Sequence, residues 1–520
     1  MRPLDPGMSG ILFRGGPVKS LGVSGDADWV LVVDGLVEAT GLRQDEPGCD
    51  RTVELDGATL LPAFCDAHVH LPATGLYQKG MDFRGQHRSA RILEAFRERA
   101  SSGDGLLFGG NFEDPLDEPL TRHDLDAAVG ERPAVLARAD MHSCIVSSAL
   151  LDHLTIAELE GVDCDDGGRP TGYLREQAAA EAWRWFDTNL PESQQRDAIT
   201  AAVQLAYSKG VTSVHEMYVA EWRGWSSLSL LREVIAEVAL DVLIYVASDD
   251  VERVRALNLG RIGGDLFLDG SFGSHTAWMA DGYISAPPAG IPPNGVAYRT
   301  DEDLADFFRE AQRAGLQAGV HAIGDAAIEQ AVTAWEKVAA EVGAAAVASL
   351  GHRIEHFECA GDDLIARARH LGLRISVQPA FDAFWGGAGG LYSSRIGEQR
   401  ALNMNRFGTM LRAGLSLGAG SDSTVTPLHP FLQMQALCMH HVEAERITAG
   451  QALRMHTVGS RALGGQGDVA GTIEPGRYAD LIAVDHDPEA CEGEAIGSIQ
   501  VLGTWIKGKR VWPEEEAETK

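Results

Sequence analysis

Two histidines spaced by one residue, His68 and His70, close the apolar run Leu61-Pro62-Ala63-Phe64-Cys65-Asp66-Ala67-His68-Val69-His70. Side chains alternate faces along a β-strand, so positions i and i+2 point the same way and both imidazoles can reach one metal ion. A His-x-His pair standing alone is more often two exposed or internally bonded rings. Here the pair has company, because later apolar runs end in His215 and Glu216, in Asp269, in His321, in His356 and in Asp422. Imidazoles and carboxylates converging in this way make a nitrogen- and oxygen-rich site suited to Zn2+ or a similar divalent ion.

The elements that must position these groups follow from the apolar pattern. Eight β-type runs lie near residues 60–65, 211–216, 242–247, 264–268, 316–321, 352–357, 373–378 and 415–420, with helical patterns between most of them. That alternation predicts an α/β fold, a (β/α)8 TIM-type barrel, whose catalytic groups gather where the strands end. Thr300 with Asp303, and Thr448 with Gln451, mark helix starts, and Gly315 and Gly464 mark the corresponding ends. Residues 60–465 are read as the barrel. The stretch 71–210 is too long for one βα unit and is expected to contain an inserted α/β lobe over the barrel mouth. The β-rich ends, 1–59 and 466–520, include a hairpin signal at Asp34-Gly35 and are expected to build one small β-sandwich from both termini.

Composition narrows the function classes. The 520 residues carry a formal charge of -31, with 45% hydrophobic and 23% charged residues. Such a balance repels nucleic acid and anionic membranes, and no segment is long and apolar enough to span a bilayer. Met1-Arg2-Pro3-Leu4-Asp5-Pro6-Gly7 is not followed by a signal-peptide pattern, so the expected location is the cytoplasm. The seven cysteines are odd in number, scattered and without a Cys-x-x-Cys pair, which reads as reduced thiols, with Cys65 a small buried hydrophobe. The expected partner is a small-molecule substrate, and a homodimer is the default assembly.

Four blocks carry a family resemblance: the run ending in His70, Val320-His321-Ala322-Ile323-Gly324-Asp325, His352-Arg353-Ile354-Glu355-His356, and Gly420-Ser421-Asp422. They resemble the signatures of the amidohydrolase superfamily in its amidohydrolase 3 or YtcJ-like branch, and the chain is similar to N-substituted formamide deformylases. Arg138-Ala139-Asp140-Met141-His142-Ser143, Gly172-Tyr173-Leu174-Arg175-Glu176, Leu268-Asp269-Gly270-Ser271 and Val377-Gln378-Pro379 extend the match over nearly the whole chain. The resemblance implies that His68, His70, His321 and His356 bind the metal. It implies further that Asp422 contacts the metal and its water and shuttles the proton, with Asp422 and His356 the residues of catalysis. A metal ion can lower the pKa of bound water from about 15.7 to about 7, and a carboxylate can pass the released proton to the leaving nitrogen.

One position departs from the pattern. Many relatives have a lysine four residues before the Asp-Gly-Ser of the strand-four block, and its carbamate bridges two metals in dinuclear members. This chain has Asp265 there. The bridge is then Asp265 itself, or an acid such as Glu176 or Glu216, or it does not exist. Asp is shorter than a carbamylated lysine, so direct substitution needs a backbone shift, and one ion is favoured over two. Glu176 and Glu216 are otherwise supports for the ligands, and His352 is at most a support. His142, Asp269, His275 and Trp385 are candidate substrate contacts, within an aromatic set that includes Trp278, Phe381, Phe384 and Tyr392. The expected reaction is hydrolysis of a non-peptide carbon–nitrogen bond in an amide, N-acyl or N-formyl compound. The alternatives are deamination of an amidine-like heterocycle, or a catalytically repurposed barrel that binds a small ligand.

Overall fold

The apolar run that ends in the histidine pair is shared between two sheets. In the computed structural model, which describes residues 10–514 apart from 24, 50, 102–104, 141 and 289, Thr59–Pro62 pairs with Leu481–Val484, and the chain then passes through Ala63 into a separate strand, Phe64–Val69. Both pieces are buried on both faces, so hydrophobicity alone shows no break between them. The N-terminal segment Met1–Gly7 and Met141 lie outside the described residues.

The central unit has eight strands: β1 Phe64–Val69, β2 Val211–Val219, β3 Asp241–Ala247, β4 Arg261–Ile262, β5 Gln317–Ala322, β6 Arg353–His356, β7 Arg374–Val377 and β8 Ser416–Ala419. They form two all-parallel ladders, β3-β2-β1 and β4-β5-β6-β7-β8. The ladder is not continuous across the two joins, but hydrogen bonds span both. Gly263 donates to the Val246 carbonyl at 2.7 Å, and Asp422 donates to the His68 carbonyl at 2.8 Å. This is a TIM-barrel-like α/β fold.

The expected fourth run, 264–268, is a continuation of the fourth strand past a break: Phe267 pairs in parallel with His321, the Leu268 amide donating to the His321 carbonyl at 3.1 Å and the His321 amide to the Leu266 carbonyl at 3.1 Å. β4 stops at Ile262, and Gly263 and Gly264 follow with φ of 81° and 74°, a left-handed turn that glycine alone adopts freely. Elsewhere the local signals match the elements. The Thr300 hydroxyl caps helix Asp301–Ala314 by accepting from the Asp303 amide at 3.2 Å, and Gly315 ends it at a left-handed φ of 68°. Leu304, Phe307, Phe308 and Ala311 form its buried stripe.

Residues 81–175 supply a second, six-stranded sheet in the order Val162–Cys164, Pro170–Arg175, Ser143–Val146, Ala134–Arg138, Leu107–Phe112, Met81–Asp82. It has its own apolar clusters, one around Trp183 and Phe186 and one around Ile92 and Phe96. Both termini meet in a single hydrogen-bonded sheet of eight strands, which includes the Asp34-Gly35 hairpin between Ala27–Val33 and Leu36–Gly41. No helix among the described residues is long and apolar enough to cross a membrane.

Candidate metal centre and active site

The strand ends bring four imidazoles and two carboxylates to one place. His68 and His70 follow from β1, His321 from β5, His356 from β6, Asp422 from the turn after β8, and Asp265 from the glycine turn after β4. His70 Nε2 lies 3.0 Å from Asp265 Oδ2 and 3.2 Å from Asp422 Oδ1. His68 Nε2 lies 3.4 Å and 3.5 Å from the same two oxygens. On the other side, Asp265 Oδ1 is 3.6 Å from His321 Nδ1 and 3.7 Å from His356 Nε2. All six residues are buried.

The outer nitrogen of each ring is already committed. His68 Nδ1 meets Glu355 Oε2 at 3.0 Å, His70 Nδ1 donates to the Met217 carbonyl at 2.9 Å, and His356 Nδ1 donates to Gln378 Oε1 at 2.8 Å. His321 is turned the other way, its Nε2 donating to the Gly270 carbonyl at 3.2 Å. These bonds fix the ring orientations, with Nε2 of His68, His70 and His356 and Nδ1 of His321 facing the centre. The atoms left facing inward include His68 Nε2, His356 Nε2, Asp265 Oδ1 and Asp422 Oδ1, which are buried without a hydrogen-bond partner among the described residues. Buried polar atoms are seldom left so, and their convergence fits a bound cation. Three overlapping sets, His68/His70/Asp265, His68/His356/Asp422 and Asp265/His321/His356, each place their donor atoms within 4.8 Å of one another.

Charge follows the same geometry. Burial disfavours the charged form of His70, but Asp265 and Asp422 outweigh it and raise its pKa to about 9. His68 is raised for the same reasons. Burial pushes Asp265 up, but His68, His321 and His356 more than offset that and hold its carboxyl well below the usual carboxylate range. Strain accompanies the placement: His356, Phe357 and Asp422 adopt φ of 71°, 55° and 50°. The left-handed turn at His356 lets it share the site with Glu355, its immediate neighbour, although simple alternation sends adjacent residues to opposite faces.

A cavity opens above this centre, lined by His142, His321, His356, Asp422, Phe381, Trp385 and Tyr392 among others. The inserted sheet contributes His142, whose Nδ1 lies 3.1 Å from Glu176 Oε2. Burial lowers the His142 pKa, but Glu176 overrides it and raises the ring to about 9. Glu176 also accepts from Thr276 Oγ1 at 2.7 Å and Tyr298 Oη at 2.5 Å, so it anchors His142 and is absent from the cation-binding sets.

Other sequence candidates are not brought to the cavity. Both Asp269 oxygens are taken by the backbone amides of Trp278, Ile323 and Gly324 at 2.8–3.0 Å, which pins the turn after β5. His275 bonds Ser285 at 2.9 Å, and Glu216 accepts from the Leu71 amide at 2.5 Å beside His70. His352 stacks on Trp335 with ring centroids 3.9 Å apart, away from the ligand cluster. Sequence reasoning gave no role to Glu358, Gln378, Arg138 or Asp140. Gln378 was reachable by the strand-end rule, since it follows β7 directly. Arg138, salt-bridged to Asp140 and 3.2 Å from Asp114, lies on the inserted lobe, where strand-end logic does not extend.

The amidohydrolase family model matches residues 51–512 of this chain. The chain belongs to the amidohydrolase family. As a member it is a hydrolase acting on carbon–nitrogen bonds. It is 27% identical to the amidohydrolase-family protein YtcJ of Bacillus subtilis (strain 168), over 96% of this chain and 99% of that one. It is 25% identical to an N-substituted formamide deformylase of Arthrobacter pascens, over 93% and 94% of the two chains. Among solved structures, an uncharacterized metal-dependent hydrolase from Pyrococcus furiosus superposes with a TM-score of 0.72 at 26% identity, covering 92% of this chain and all of that one.

Proposed function

We propose that this amidohydrolase cleaves the carbon–nitrogen bond of an N-acyl or N-formyl amide, releasing an amine and a carboxylate. The observation that carries the reading is the ring of unpartnered buried donor atoms at the floor of an aromatic-walled cavity. In it, His68, His70, His321, His356 and Asp422 hold the metal, and Zn2+ is the ion that best suits imidazole and carboxylate together. A divalent ion in such a site supplies an acidified water and a polarised carbonyl.

The remaining work belongs to the chain. Glu355, the Met217 carbonyl and Gln378 keep His68, His70 and His356 in register. The Asp422 carboxylate accepts the proton of the attacking water and delivers it to the amide nitrogen, which leaves only once protonated. His142, held by Glu176, donates a hydrogen bond to the substrate carbonyl oxygen from the cavity wall. Phe381, Trp385 and Tyr392 exclude water and pack an apolar substituent. The deformylase similarity supports the choice of amide over heterocycle.

A panel of N-formyl and N-acyl amines is expected to yield free amine with metal-loaded protein and none after chelation. Ammonia release from heterocycles in the same panel, without amine release from amides, assigns a deaminase instead. Full amide turnover in a metal-stripped sample overturns the reading.

A further inference from the structure

Two cavities approach the centre from opposite halves of the barrel mouth. The one described above is lined by His321, His356 and Asp422, at or just after the ends of β5, β6 and β8. A second is lined by Val219 and Ala247, the last residues of β2 and β3, and by Asp265, Leu266 and Phe267 after β4. Strands β2 to β4 stand across the barrel from β6 to β8, so the two cavities flank the ligand cluster. His142 lines both. Its ring centroid is 6.1 Å from that of His321, and Glu176, itself bonded to Thr276 and Tyr298, holds it there.

The second cavity has an aromatic wall of its own. Trp222, from the helix Ala220–Ala236 after β2, stacks on Phe267 with ring centroids 5.2 Å apart and planes 27° apart. Phe267 in turn meets His321 at 4.9 Å and His142 at 5.5 Å between centroids. Both Trp222 and Phe267 are only part-buried, so each keeps apolar surface that a ligand can cover. That surface starts at the ligand cluster, where Asp265 lines the same cavity, and runs out to Gln177 and Glu221, which are exposed. Asp422 decides which half of an amide goes where. It protonates the leaving nitrogen and lines the first cavity, so the amine half lies there against Phe381, Trp385 and Tyr392. With the carbonyl oxygen at His142, the group on the other side of the carbonyl carbon is directed into the second cavity.

We propose that the second cavity is the acyl compartment of the active site, and that the substrate is an amide with a bulky apolar acyl group rather than a formyl group. The inference rests on the amide-hydrolase reading and goes beyond it in naming which half of the substrate each cavity takes. A formyl carbon bears only hydrogen and leaves Trp222 and Phe267 uncovered, whereas each methylene laid on them removes apolar surface from water. His142 is then the divider between two compartments that are sized independently, one by Trp222 and Phe267 and the other by Phe381 and Trp385. Selectivity for the acyl group and selectivity for the amine should therefore be separable by substitution.

The test measures amine release by the metal-loaded full chain on two series of amides. In one the amine is fixed and the acyl group grows from acetyl to hexanoyl and benzoyl; in the other the acyl group is fixed and the amine grows in the same way. In wild type kcat/KM is expected to rise by up to about fourfold for each acyl methylene until the cavity is filled. Trp222→Ala should lose on the order of tenfold at the bulky end of the acyl series while keeping the slope of the amine series. Trp385→Ala should do the reverse. A flat acyl series in wild type, with amides still hydrolysed, overturns the acyl compartment and leaves the hydrolase reading intact. Equal changes in both series in Trp222→Ala, or the two variants exchanging roles, also overturn it. Release of amine from none of the amides overturns the hydrolase reading together with it. Should Trp222→Ala not fold, Ala180→Phe narrows the same cavity from the helix Glu176–Asn189, and it should cut off the bulky acyl groups alone; an acyl series unchanged in that variant overturns the assignment.

Discussion

At the scale of the residue, Asp422 and His352 make opposite cases. Asp422 lies 3.2 Å from His70 Nε2 with its Oδ1 unpartnered, so its proposed task is proton transfer at the centre. Asp422→Asn keeps the shape and loses the base. Metal content by elemental analysis should stay near wild type while turnover falls about 10^2- to 10^4-fold, and metal lost in proportion to activity would instead make Asp422 chiefly a ligand. His352 is remote from that chemistry. Its Nδ1 accepts from the Ala318 amide at 2.9 Å and its Nε2 donates to Gln312 at 2.8 Å, an arrangement open only to the neutral ring. Burial, helped by Arg374, pushes its pKa from 6.5 down to about 3. Between those values the unfolded chain binds a proton that the folded chain refuses, so stability rises with pH across the window and is lost as pH falls from 6.5 toward 3. Urea midpoints measured over that range should slope less steeply in His352→Asn than in wild type, with equal slopes refuting the assignment. The motif His352-Arg353-Ile354-Glu355-His356 was visible in the sequence, and its strand-end member His356 was read as the one that meets the centre, but that Glu355 shares the site with it was not. That depended on the left-handed turn at His356, a tertiary constraint that alternation does not encode.

At the scale of the element, caps and turns were the most legible features because they are local. The Thr300 cap and the Gly315 stop sit where the residue types put them. Thr300→Ala removes the hydroxyl that satisfies the Asp303 amide and is expected to cost about 1 kcal/mol, read as a shift in denaturant midpoint. An unchanged midpoint would show that water replaces the cap without loss. The helix from Thr448 starts on its reciprocal cap with Gln451, yet it runs as Ala449–Arg454, a π-helical turn Met455–Gly459 and Ser460–Leu463, an interruption no propensity announces. The fourth run pairs with β5 at Phe267, but the break that separates it from β4 was not visible for a related reason. Gly264–Leu268 is apolar enough to be a strand, but the pair Gly263-Gly264 bends the chain, and its purpose is visible only against Gly319 and Met217.

At the scale of the whole molecule, the centre is assembled from both ladders, and the cavity adds residues of the inserted sheet. A ligand that joins β1, β5 and β6 with the turns after β4 and β8 stabilises the folded chain alone, because the unfolded chain has no preformed site. Chelation should therefore lower the thermal midpoint, and restored Zn2+ should recover it, with about 2.7 kcal/mol gained at one hundred times Kd. A midpoint indifferent to chelator and metal would count against any bound ion. The amino-acid sequence by itself determined the eight-run pattern, the histidine pair, the helix starts and the family blocks, because these depend on residue type at short spacing. Tertiary structure decided that Ala63 divides the first run between two sheets, that Glu176 serves His142, and that Asp269 holds backbone amides. It also decided that Asp265 reaches four imidazoles. Each of those outcomes rests on contacts between residues far apart in the chain, where a bare glycine or a reversed φ redirects a side chain, and no local pattern carries that information.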